Sequence, residues 1–385
     1  MIPLFYPYIP KKKILQQLSN TLDSRWIGQG PKVDLFEKKF ANKMGYKYAL
    51  MVNSATSALE LAYHLLDLKK GDKVIIPVLD SIAGQVGLIR RKCRLLFCDI
   101  ERDTLNIDPN FLEGLLQAHK AKAVVGVHLG GIHFNQKIYS ISKKYKVPLI
   151  VDSAQYLAPT KGDYICYSFQ AIKHITTADG GMLILNNKKE YTRAKKLRWF
   201  GTERDIKKKN NFKPWERREV NFDIEEAGYK FQPTDVDASF GLAALPDLDT
   251  VIKYRQELAV EYRKGLSSIE EVQVVAGGTY WLLTILTEKR NQLASYLIKK
   301  GIECNLVHIR NDIFKIFGNR RQSLPNMNWV ESRYLCLPLN CKIDKSDVRF
   351  ICKTIKQFFL GPQSRVRQGT RTASSAYSQK SSAYD

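Results

Sequence analysis

Short apolar runs alternate with helix-period segments over the first two-thirds of the chain. Tyr48–Val52, Lys73–Ile76, Arg94–Asp99, Ala123–Val127, Pro148–Val151, Tyr164–Ser168 and Met182–Leu185 are rich in Val, Ile, Leu and Tyr and predict strands. Between several of them lie amphipathic stretches such as Ser57–Leu66 and Ile138–Lys144, which predict helices. This alternation implies an α/β fold with a mainly parallel sheet covered by helices on both faces. Sheets of that kind take ligands beyond the carboxyl ends of their strands, where Asp152 and Ser168 fall.

Around Pro233–Pro246 the pattern changes. Leu248–Ile269 predicts one long amphipathic helix, followed by a strand at Tyr280–Thr287 and helices at Asn291–Lys300 and Lys345–Phe359. The implied organisation is a large domain over 1–245, a smaller C-terminal α+β domain over 246–360, and a tail over 361–385. The tail is nearly devoid of aliphatic residues and is expected to be disordered or foreign to the fold. A length of 385 residues suits two domains, since single cores stop growing near roughly 250–300 residues.

Composition changes the picture little, except in charge. No stretch approaches the roughly 18 uncharged apolar residues of a membrane span, and the N-terminus lacks the pattern of a secretory signal. The seven cysteines are scattered without any Cys-x-x-Cys pair, which suggests neither a zinc site nor a disulfide framework. A cytoplasmic protein without membrane association is expected. The net charge of +23 would suit nucleic acid, an acidic surface or a polyanionic small substrate. Its densest stretch runs from Arg193 to Arg218 with Trp199, Phe200, Phe212 and Trp215 interleaved, a pattern that can stack bases. No established nucleic-acid signature accompanies it, so nucleic acid is the less favoured partner.

The candidate chemistry centres on Lys173, in a loop that follows a predicted strand and closes on Gly180-Gly181. Upstream, Asp152 ends another predicted strand. An aspartate followed at that distance by a loop lysine is the pairing a pyridoxal phosphate (PLP) enzyme needs: the amine holds the aldehyde and the carboxylate keeps the ring nitrogen protonated. Asn53-Ser54-Ala55-Thr56-Ser57 follows a strand and opens a helix, a favourable place for the phosphate.

Taken in order, these pieces resemble the DegT-type nucleotide-sugar aminotransferases of PLP fold type I, over roughly residues 1–360. The resemblance includes Ile27 to Pro31, Gly71 to Pro77, Val127-His128-Leu129-Gly130-Gly131, Asp152-Ser153-Ala154-Gln155, Ser168-Phe169 with Lys173, Asp179-Gly180-Gly181, and Leu197-Arg198 with Gly201. It implies that Ala55 and Thr56 form the phosphate turn and that Ser168 touches the phosphate. Asp152 would partner the ring nitrogen, Gln155 would lie near the ring hydroxyl, and Lys173 would hold the cofactor and shuttle the proton.

The resemblance further implies glutamate as amino donor, a nucleotide-linked keto sugar as acceptor, and a homodimer with shared sites. Two departures stand out. Asp80-Ser81 replaces the family's usual Thr and ring-stacking aromatic, and Lys230 replaces the asparagine that reaches a neighbouring subunit's site. His174 and these departures leave a PLP-dependent sugar dehydratase, or a weakened relative, as a rival. A non-enzymatic nucleic-acid-binding protein is a more distant one.

Overall fold

A computed structural model describes residues 1–203, 224–275 and 277–361. Most of the basic, aromatic run after Glu203 and the tail from 362 onward lie outside the described residues.

Seven strands form the main sheet: β1 (Tyr48–Val52), β2 (Lys73–Pro77), β3 (Arg94–Cys98), β4 (Ala123–Val127), β5 (Leu149–Ser153), β6 (Tyr164–Ser168) and β7 (Gly181–Leu185). Their spatial order is β1-β7-β6-β5-β4-β2-β3. All neighbouring pairs are parallel except those of β7, which runs antiparallel to both β1 and β6. Strands β4 to β7 are buried along their whole length, as expected where helices cover both faces.

The two faces separate by residue parity. Leu50 and Val52 join one core cluster with α3 (Ala55–Leu65), α4 (Ala83–Arg90) and α7 (Lys188–Leu197), while Ala49 and Met51 join the other. That second cluster includes residues of α2 (Pro31–Met44), α5 (Pro109–Ala118), α6 (Lys137–Tyr145) and α8 (Asp235–Ala244). A further helix, α1 (Lys11–Asp23), packs on α8.

A third cluster gathers α9 (Leu248–Leu266), β9 (Leu283–Leu286), α10 (Arg290–Lys299), β10 (Tyr334–Leu337) and α12 (Lys345–Leu360). Its sheet is antiparallel in the order β10-β9-β8, with β8 spanning Gln273–Val275. The first residues of the chain also reach this body, through an Ile2–Ile302 bridge and Leu4 N–H donating to Glu303 Oε2 at 2.8 Å. Helix α11 (Pro325–Val330) leans back on the main sheet: Met327 and Val330 sit in the α3-side core, and the Asn326 and Met327 N–H groups donate to Asp99 at 2.8 Å.

The α/β fold with a mainly parallel mixed sheet and a small antiparallel sheet is therefore as the sequence implied. The strand predicted at Tyr280–Thr287 is shorter, and the long helix ends at Leu266. The segment before β9 is an irregular connection pinned to the large sheet. Among the described residues no helix is long and apolar enough to cross a membrane, no group of His, Cys, Asp and Glu is arranged to hold a metal, and the seven cysteines are free.

Candidate active site

Reversal of β7 creates the site. Because β7 returns beside β6, residues 169–180 loop over the carboxyl end of β6 and carry Lys173 with them. Gly181 then pairs with both Val52 and Ser168, at the ends of β1 and β6. A Cβ at Gly181 would lie 2.5 Å from the Ser54 backbone, so only glycine lets β7 start this close to the helix cap. Ser54 caps α3 by accepting from Ser57 N–H at 3.1 Å, and Ser57 Oγ donates to Asn53 Oδ1 at 2.6 Å. Ala55 and Thr56 thus occupy the first helical turn, beside Ser168 and partly open to solvent. Backbone N–H groups at such a position favour an anion.

Lys230 is brought to the same end through its backbone. Asn53 N–H donates to the Phe231 carbonyl at 2.9 Å, Phe231 N–H to Arg198, and Tyr229 N–H to Leu197. The Lys230 side chain is exposed.

Asp152 lies near the end of β5, between Val127 of β4 and Cys166 of β6, and is 5% exposed. Burial raises its pKa, opposed by the Ala154 N–H that donates to Oδ1 at 2.8 Å and by the charge of Lys173. A second acid joins it. Asp80, beyond β2, is 3% exposed, and burial followed by the charge of Asp152 pushes its carboxyl well above the usual range. Burial brings the Lys173 amine down to about 8, against the pull of Asp152 and then Asp80. An amine in that range is available as a base near neutral pH.

The opposite side of Lys173 is aromatic. Its Nζ lies 3.9 Å from the centroid of the Trp281 ring, which Phe5 and His308 flank at 5.3 and 6.2 Å. Trp281 Nε1–H donates to the Ile172 carbonyl at 2.9 Å. Buried Arg255 of α9 donates to the carbonyls of Tyr280, Trp281 and Leu339. The Thr279 and Trp281 N–H groups bond to the carbonyls of Gly131 and Gly130.

Gln155 links the turn after β4 to the segment at His308. Its Oε1 accepts from Gly130 N–H at 2.8 Å and its Nε2 donates to His308 Nε2 at 2.9 Å. Burial, then Lys173, lowers the His308 pKa to about 4, leaving a neutral ring. His174 is directed elsewhere: buried, it donates to the Thr279 carbonyl at 3.0 Å.

The residues singled out from sequence thus converge. Lys173, Asp152, Ser168, Ala55, Thr56 and Gln155 surround one region at the carboxyl ends of the strands, with Lys230 next to the turn at Asn53. Sequence reasoning missed Trp281 and Arg255, and noted Asp80 only as a departure. Of the basic run, Arg193 pairs with Glu226 and Asp67, and Arg198 is buried against Glu37.

A model of the DegT/DnrJ/EryC1/StrS aminotransferase family matches residues 9–356. The chain belongs to that family. The spore coat polysaccharide biosynthesis protein SpsC of Bacillus subtilis is 30% identical over 94% of this chain and 97% of its own. GDP-perosamine synthase of Escherichia coli O157:H7 is 29% identical over 93% and 98%. The crystal structure of the sugar aminotransferase CalS13 from Micromonospora echinospora superposes with a TM-score of 0.84 at 25% identity, covering 93% of this chain and all of that one.

DegT-family aminotransferases are PLP-dependent, and this chain is an enzyme of that type, built for amino transfer to sugars. Its residues fit the cofactor: a half-buried primary amine of lowered pKa, a buried carboxylate, and a helix N-terminus partly open to solvent lie at the same end of the sheet.

Proposed function

We propose that the protein transfers an amino group from glutamate to a nucleotide-linked keto sugar, a 4-keto-6-deoxyhexose, leaving an amino-deoxy sugar nucleotide. The observation that carries this reading is the Lys173 amine, lowered to about 8 by desolvation and facing Asp152, at the end of the sheet where α3 begins.

PLP, when bound, supplies an aldehyde and an electron-withdrawing ring. The Ala55 and Thr56 turn would hold its phosphate with backbone N–H groups and the Thr56 hydroxyl, with Ser168 alongside. Asp152, ionised and held by Ala154 N–H, would keep the ring nitrogen protonated. Gln155 would orient the ring edge through its fixed amide. Lys173 would capture the cofactor and, once its amine is released, would accept the proton of the substrate carbon at Nζ and give it up on the cofactor side. Donor and acceptor use one pocket in turn, which implies ping-pong kinetics.

Lys230 is placed in a partner's site in this reading, as a cation near the phosphate, so the working unit is a homodimer with two equivalent sites. A net charge of +23 would favour recruitment of a nucleotide diphosphate in the cytoplasm. Dehydration is the second reading, favoured by Asp80-Ser81 where the family resemblance implies a Thr and an aromatic.

The test is the absorbance of PLP-loaded protein before and after excess glutamate, followed by assay with nucleotide-linked 4-keto-6-deoxyhexoses. Loss of the long-wavelength band on adding glutamate, and amination of the sugar, are expected. A band indifferent to glutamate, with a dehydrated sugar as product, would overturn amino transfer.

A further inference from the structure

Asp80 and Asp152 are arranged alike around one point. In each, Oδ1 accepts a nearby backbone N–H, Ser81 at 2.5 Å and Ala154 at 2.8 Å. In each, Oδ2 turns to the space above Gly84, where a Cβ would stand 3.7 Å from Asp80 Oδ2 and 3.6 Å from Asp152 Oδ2. A carbon there would be in ordinary contact with both oxygens, which places the two carboxylates around one point. Asp80 is fixed from the small body: Asn311 donates through Nδ2 to the Asp80 carbonyl at 3.1 Å and through N–H to the Val78 carbonyl at 2.7 Å. Beside it the Gln85 amide is 2% exposed, makes no hydrogen bond of ordinary geometry, and lies close enough to Asp80 to oppose the rise of its pKa.

Among the described residues the surroundings supply one cation, Lys173, to two acids. Lys173 faces both, from the loop after β6. From α3, Tyr63 spends its hydroxyl on the Gly84 carbonyl and Glu60 is paired with Arg91. From the small body, Arg310 is committed to Asp312 and Glu331, and His308 is held by Gln155. Two carboxylates this close in a buried site do not both ionise readily, since each charge opposes the other. Titration then belongs to the pair.

We propose that Asp80 is a positioning residue that shares one proton with Asp152, so that an acid pair faces the ring-nitrogen end of the cofactor and governs the charge on the ring and on Lys173. At neutral pH Asp152 carries the charge and Asp80 the proton. As pH rises Asp80 gives its proton up, and the second negative charge stabilises every cation remaining in the site. Loss of a proton from the loaded site is thereby displaced to higher pH. The proposal rests on PLP binding at Lys173.

The experiment compares wild type, Asp80→Asn and Asp80→Thr, each loaded with PLP and titrated by absorbance. The midpoint of the alkaline transition should fall by about one pH unit or more in both variants, the size expected for removing a nearby charge. Calorimetry of PLP binding in buffers of different ionisation heat should also give a different number of protons exchanged in the variants. Equal midpoints and equal proton counts would overturn the proposal and leave Asp80 a buried acid of the core. If Asp80→Asn fails to fold, Asp80→Thr, smaller and equally uncharged, gives the same comparison. A wild-type protein without a long-wavelength band would instead defeat cofactor binding itself, so the two failures are distinguishable.

Discussion

The floor of the pocket and its aromatic rim are built by different physics. Asp152 and Ser168 stand on β5 and β6, strands buried on both faces, so their positions follow from the core itself. The rim, Tyr280 to Leu282 and Val307 to His308, has no regular structure and holds backbone that L-residues resist: φ is 50° at Tyr280 and 65° at Val307. A β-branched residue at positive φ persists only where its surroundings over-determine it. Tyr280 is held through Arg255, through Gly130-Gly131 and through the Trp281 indole, and Val307 by packing in the Trp281 cluster and by donating its N–H to Asn305 Oδ1 at 3.4 Å. Close packing fixes Asp152 and Ser168, and strained, hydrogen-bonded backbone fixes the aromatic groups that face Lys173.

The comparison breaks most sharply at Lys173. Lys173→Ala should lower amino transfer by about 10⁴-fold or more while leaving the melting temperature nearly unchanged, because the loss is chemical. Steady-state assay together with thermal melting checks both halves. Arg255→Met should do the reverse. It strips three buried carbonyls of a charged donor, so a loss of about 2–3 kcal/mol is expected, with KM for the sugar raised more than kcat is lowered. Equal loss of kcat and stability in both variants would erase the distinction between floor and rim.

How much of this was legible in sequence follows the same division. The strands were readable because short, doubly buried runs are apolar throughout, and Lys173 with Asp152 because both flank such runs. The direction of β7 was not readable: Gly181–Leu185 is buried at every position, as a parallel strand would be. The rim was opaque because its contacts join residues far apart in sequence, Thr279 with Gly131 and His308 with Gln155. Arg255 reads as one more charged residue on an amphipathic helix until its three carbonyl partners appear. Asp80 stood out as a departure, but the charge that gives it meaning comes from a different strand.

A gentler test concerns pH. With the Lys173 amine at about 8, the rate of PLP capture should rise through that pH and level off above it, since only the neutral amine attacks an aldehyde. His308, lowered to about 4, contributes no charge change in that window. The smallest effect then isolates the rim's influence on the floor. Trp281 presents its ring face to the Lys173 ammonium, a contact worth about 0.5–1 kcal/mol to the charged form. Removing the face in Trp281→Leu should lower the capture midpoint by about half a pH unit, because one unit corresponds to about 1.4 kcal/mol. Trp281→Phe keeps a face and loses only the N–H to Ile172, so its midpoint should stay near that of the wild type. Stopped-flow absorbance across pH separates them. A midpoint that moves equally in both variants would mean that the indole acts by holding the Lys173 loop in place, and the rim would then be a scaffold for the floor.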